Sequence, residues 1–146
     1  MTVALSGKEI ASQLEEKFPG SIVESNQDSF VVKRDFLLAV VAFLKDTLGL
    51  DFDYLNYITA IDYYDHFEVV YQLTSLEHNH SLVLKTRCDQ RDNPTLPSVV
   101  SLWRGADLQE REIYDLMGIR FEGHPNMKRI ALWEGFPGHP LRKDYL

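Results

Sequence analysis

From Phe67 to Thr86 the chain keeps a period of two. Phe67, Val69, Tyr71 and Leu73 alternate with more polar neighbours, and so do Leu82, Leu84 and Thr86. Alternation sends successive side chains to opposite faces, which suits half-buried strands and not amphipathic helices. Two clusters of turn formers punctuate the block, Tyr64-Asp65-His66 and Glu77-His78-Asn79-His80. The pattern predicts an antiparallel meander beginning near Tyr57. Its apolar face needs a cover, and the flanking sequence must supply it.

That cover reads as helix on both sides. Ser6-Gly7-Lys8-Glu9 has the composition of a capping box, and Ile10, Leu14 and Phe18 follow at spacing four before Pro19-Gly20 stops the helix. A short strand is predicted at Phe30-Val31-Val32. Asp35 opens a second helix that ends near Gly49. Its run from Phe36 to Leu44 is apolar on nearly every side, which predicts the most buried helix. A further strand is expected at Ser98 to Trp103, and a third helix from Asp107 to Gly118. Helices early, strands in a block and one late helix define an α+β two-layer domain with a mainly antiparallel sheet, over residues 1–119.

Residues 120–146 differ. They hold three of the six prolines and three of the eight glycines, and carry a net charge of +2 against −9 for the remainder. Phe121, Ile130, Leu132, Trp133, Phe136 and Tyr145 argue against plain disorder. The segment reads as an extended docking arm with few contacts to the core of its own domain.

Several function classes fall away. A net charge of −7 disfavours nucleic acid, whose phosphates need clustered Lys and Arg. One cysteine, Cys88, can neither close an internal disulfide nor hold an iron–sulfur cluster alone. Lys8 and Glu9 interrupt any early apolar stretch, so no signal peptide is expected. The longest apolar run has nine residues, whereas a spanning helix needs about 20.

The densest charge cluster runs from Glu110 to Asp115. Glu112 and Asp115 are three apart, Arg111 and Asp115 four apart, so on a helix they share a face. A catalytic pair of carboxylates is one reading. The plainer reading caps the helix with Asp107 and Glu110 and pairs Arg111 with Asp115. His78 and His80 alternate like ligands on a strand face, yet a metal site needs a third ligand. Solvated turn histidines explain them as well. Cys88 lacks an activating base, and no Gly-rich phosphate loop follows a strand.

The segment Ser98-Val99-Val100-Ser101-Leu102-Trp103, then Ala106 to Glu112, then Asp115-Leu116-Met117-Gly118-Ile119, resembles the signature of the 30 kDa (C-type) subunit family of respiratory complex I. Phe121-Glu122-Gly123-His124-Pro125, Lys128-Arg129-Ile130 and Gly138-His139-Pro140-Leu141-Arg142-Lys143-Asp144-Tyr145 continue the likeness in order. The resemblance implies a scaffold subunit without catalytic residues, inactive alone, in the peripheral arm of a proton-translocating NADH:quinone oxidoreductase at the cytoplasmic face of the membrane. It implies no cofactor or metal on this chain, while the complex uses FMN, iron–sulfur clusters and quinone. It implies packing against the quinone-site subunit, which shapes the quinone cavity, and near the cluster-bearing subunit next to it. Relatives occur in membrane-bound hydrogenases and in ferredoxin- or F420-fed complexes, so the electron donor stays open. Glu110, Arg111, Glu112, Asp115, His124, Arg129, Arg142, Lys143 and Asp144 are then the expected partner contacts. On that reading, truncating Arg129 or Arg142 spares the isolated fold and weakens assembly.

Overall fold

The computed structural model of the chain describes residues 2–133 and 135–145. The alternating block forms the expected meander, β4 (Tyr54–Asp62), β5 (Phe67–Ser75) and β6 (His80–Cys88), paired antiparallel throughout. Tyr63 N–H donates to His66 O at 2.9 Å to close the first turn. Two short N-terminal strands, β2 (Ile22–Ser25) and β3 (Phe30–Val32), and a two-residue β1 (Val3–Ala4) complete the sheet. Its order is β2-β3-β6-β5-β4, and β1 and β3 both run parallel to β6. Sequence periodicity does not reveal β1 or β2, because two to four exposed or half-exposed residues carry no alternation.

Helix α1 (Gly7–Lys17) starts as the sequence predicts, with Ser6 Oγ accepting from Glu9 N–H at 3.3 Å. Gly7 is required there: a Cβ would stand 2.6 Å from the carbonyl oxygens of Asn26 and Ser29. A 3-10 turn at Arg34–Phe36 leads into α2 (Leu37–Asp46). Helix α2 stops short of Gly49, and it buries one stripe only, Leu37, Val40, Val41 and Leu44, with Leu38 exposed. Its apolar run therefore does not make it buried all round. The buried stripes of the helices meet Phe30, Val32, Phe67, Val69, Tyr71, Leu73, Leu82 and Leu84 in one core. Each such side chain contributes about 1.5–3 kcal/mol when fully buried. All three helices bury their stripes in this one core, and among the described residues the opposite sheet face has no helix. There Glu68 is ringed by Lys85 (3.6 Å) and Arg87 (3.2 Å), and Arg87 also reaches Glu24 at 2.7 Å.

No strand forms at Ser98 to Trp103. The strand lies just before it, β7 (Thr95–Pro97), and the predicted residues form tight turns in which Leu102 and Trp103 both donate to Val99 O. Helix α3 (Ala106–Met117) ends on Gly118, whose φ of +80° is left-handed, with its N–H on Tyr114 O. Beyond it β8 (Arg120–Glu122) pairs parallel with β7 and buries Phe121 in the core. The compact part thus runs past the expected boundary at residue 119 through this strand.

Candidate functional site

Helix α3 projects carboxylates from two sides, and each meets a different segment. Glu110 is fully buried; its Oε1 accepts from Ser98 Oγ at 2.6 Å and its Oε2 from Val99 N–H at 2.9 Å. It therefore anchors the turn before α3 rather than capping the helix with Asp107. Burial pushes its pKa up, against the lowering effect of those two hydrogen bonds.

Asp115, also fully buried, is the anchor of the arm. Its Oδ2 accepts from the N–H groups of Ile130, Ala131 and Leu132 at 3.1, 2.7 and 2.9 Å, and its Oδ1 from Arg129 Nη1 at 2.9 Å. Burial opposes the charge, but those donors together outweigh it and hold the carboxyl below its ordinary pKa. Three successive amides converging on one oxygen form a backbone nest for an anion. Arg111 does not pair with Asp115; it donates to the carbonyls of Lys128 and Arg129. His124 Nδ1 accepts from Asn126 N–H, which leaves Nε2 as the donor to the Asp107 carbonyl oxygen at 3.2 Å, with Asp107 Oδ1 3.0 Å away.

A second anchor holds the last residues. Asp62, at the end of β4, takes both ends of the Arg91 guanidinium at 2.7 and 2.9 Å, the Lys143 N–H at 2.9 Å and the Tyr64 N–H at 2.8 Å. Arg91 above all holds the Asp62 carboxyl far below its usual range. Asp144 bridges Arg91 and Arg142, and Arg142 Nη1 donates to Arg91 O. Both guanidinium groups lie over the Phe67 ring, at 4.8 and 5.2 Å from its centre. His139 Nδ1 donates to Asp115 O, and its ring sits where a Cβ on Gly118 would come within 2.8 Å.

The arm therefore lies on its own domain at two carboxylates. Of the nine expected contact residues, Arg129 with Asp115 and Arg142 with Asp144 are brought together inside the chain. Truncating Arg129 or Arg142 therefore also removes contacts within the isolated chain. Glu110, Arg111 and His124 likewise bond their own chain, while Glu112, Lys143 and Asp144 are exposed. Left outward are Ile130 (42%), Trp133 (65%) and Leu141 (59%). Asp62, Arg91, Phe67 and His139 escape a reading of spacing; the only hint is that Asp62 precedes a turn and Arg91 follows a strand. Glu134 lies outside the described residues.

Elsewhere, Asp51, Glu77 and His78 place one ligand atom each within 4.8 Å of one another, all near the surface. His78 Nε2 is hydrogen bonded to Asp51 Oδ2 at 2.7 Å, and His80 Nε2 to Leu50 O at 2.8 Å. Cys88 is buried, with Sγ on Thr95 O, and burial raises its pKa. A thiol in that state is a poor nucleophile.

Fold and anchors together define a two-layer α+β domain with a C-terminal arm strapped across its last helix. The chain belongs to the family described as the respiratory-chain NADH dehydrogenase 30 Kd subunit, whose profile matches residues 30–146. It is 42% identical over 120 residues to the second C-type subunit of the NADH-quinone oxidoreductase of Rhizobium meliloti, covering 80% of this chain and 65% of that protein. It is 42% identical over 137 residues to the C-type subunit of the NADH-quinone oxidoreductase of Moorella thermoacetica, covering 91% and 90%. Among solved structures, a chain of an archaeal membrane-bound sulfane sulfur reductase, a respiratory membrane complex, superposes with a TM-score of 0.77. That match covers 95% of this chain and 85% of the other at 27% identity.

Proposed function

We propose that this chain is a scaffold subunit in the peripheral arm of a proton-translocating NADH:quinone oxidoreductase. It docks on the quinone-site subunit, near the cluster-bearing subunit, at the cytoplasmic face of the membrane. On this reading it binds no cofactor, and FMN, iron–sulfur clusters and quinone reside on other subunits. The observation that carries it is the arm: Ile130, Trp133 and Leu141 are held outward by a segment whose backbone is fixed on Asp115 and Asp62. Rigid, outward aromatic and aliphatic side chains suit the core of a protein interface. Arg129, Arg142, Arg111 and His124 act by positioning the arm, with Asp115 as its internal anchor, while Glu110 holds the turn before α3. Glu112, Lys143 and Asp144 face the partner.

Coexpression with the quinone-site and cluster-bearing subunits tests this. The expected result is a stable complex that reduces quinone from NADH when the remaining subunits are present, with no turnover and no visible chromophore in the isolated chain. A stoichiometric flavin or cluster band in the isolated chain, or failure to join the complex, would overturn it. A second reading is favoured by the likeness to the sulfane sulfur reductase chain: the same role in a relative fed by hydrogen, ferredoxin or F420. The donor that reduces the purified complex separates the two.

A further inference from the structure

Strand β4 ends the sheet, so among the described residues one of its long edges has no strand neighbour. The direction of its main chain follows from two bonds. Tyr63 N–H donates to His66 O, which turns Tyr63, Ile61 and Thr59 toward β5. Ile58 N–H donates the other way, to Gln109 Oε1 on α3 at 2.6 Å. With a period of two, Ile58, Ala60 and Asp62 therefore present N–H and C=O groups outward. Among the described residues nothing accepts from the Ala60 N–H.

Open edges are normally blunted by Pro, by Lys or by a central bulge. From Tyr54 to Asp62 there is no Pro, Lys or Arg, and the register shift lies near the start, between Leu55 and Tyr57. The open edge is instead flanked by apolar groups on both sides. Toward α3 it borders a cleft walled by Ile113, Leu116, Met117 and Leu141. On the uncovered sheet face it borders Tyr57 and Ile61, exposed by 41% and 38%. Glu112 is the acid in this cleft. Glu110 bonds Ser98 and Asp115 bonds Arg129, but Glu112 makes no ion pair among the described residues.

We propose that the cleft between β4 and α3 takes an extended segment of a protein partner, added to the edge of β4. Its alternate side chains are apolar, one set entering the α3 cleft and the other covering Tyr57 and Ile61. A Lys or Arg lies opposite Glu112, the charge that the cleft leaves unmatched. Main-chain bonds to the edge give affinity and the alternate pockets give selectivity. The proposal rests on the reading above that this chain is one member of a larger assembly.

Hydrogen exchange of the full chain, alone and in complex with the quinone-site and cluster-bearing subunits, tests it. The Ala60 amide is expected to exchange freely in the isolated chain and at least about 100-fold more slowly in the complex. Ala60→Pro removes an outward N–H and no bond to β5, and Glu112→Lys reverses the cleft charge. Each is expected to weaken assembly by about tenfold or more. If Ala60→Pro unfolds the chain, Glu112→Lys and the exchange measurement decide. A complex that forms while Ala60 still exchanges freely would overturn the strand-addition proposal and leave the scaffold reading intact. No complex at all would overturn both. Protection that grows with the concentration of the isolated chain would assign the edge to a second copy and overturn the partner segment.

Discussion

Arg129 folds back from the arm to place Nη1 2.9 Å from Oδ1 of Asp115, a carboxylate with no exposed surface. The Arg129 side chain is itself only 9% exposed. Removing one member of a buried pair strands the other, at a cost of about 3–5 kcal/mol. Asp115→Ala is expected to lose that much in urea unfolding of the isolated chain, and Arg129→Ala slightly less, because three amides still satisfy Asp115. A variant of Asp115 as stable as the parent would show that the arm is not anchored there.

Acid should loosen the arm. Asp62 and Asp115 both have folded pKa values lowered below those of the unfolded chain, Asp62 chiefly by Arg91, Asp115 by donors that outweigh burial. Their contribution is complete above the unfolded value of about 3.9 and is lost as pH falls through the folded values. Glu110 has the opposite sign, since burial raises its folded pKa. Its contribution is complete below its unfolded value and fades as pH rises through the folded one. Urea midpoints between pH 7 and pH 2 should therefore drop mainly below about pH 4. Asp62→Asn should flatten that drop.

Gly118 combines a left-handed φ of +80° with the nearby His139 ring. Gly118→Ala meets both, and should cost more than the ~1 kcal/mol of backbone strain alone. Thermal melting would show it, and amide exchange from 139 to 145 should quicken if His139 is displaced.

Trp133, 65% exposed in the isolated chain, is the converse case. Trp133→Ala should shift the stability of the isolated chain by no more than about 0.5 kcal/mol. It should weaken assembly with the quinone-site subunit by about 2 kcal/mol or more, the scale of an interface anchor. Equal binding by both forms would remove Trp133 from the interface.

What the residues alone disclose follows their periodicity. The meander is legible because β5 and β6 run nine residues each with one face in the core. Helices α1 and α3 are legible from their apolar stripes and their end signals, Ser6 and Gly118. The parallel partners of β6 are not, since Val3 and His80 pair across a sequence separation that no local pattern records. Composition marks out the arm but not its attachment. Arg129 and Asp115 are 14 residues apart, and a turn of the chain through Gly123 and Pro125 decides that they meet. Glu110 has the spacing of a cap because it lies in the first turns of α3. Its true partner, Ser98, lies in a loop that the β-like composition of Val99 and Val100 disguises.

The pairing of β1 and β3 with β6 also sets an order on events during synthesis. Phe30 finds its partner Leu84 only after the meander has been made, and Val3 must wait for His80. At roughly 5–20 residues per second, a nascent N-terminus with Phe30 to Val32 unsheltered persists for several seconds on the ribosome. Closing such distant loops is slow in solution too. The apolar strand β3 thus emerges some fifty residues ahead of the strand whose edge completes its shelter, so the N-terminal half of the sheet closes only once β6 has arrived.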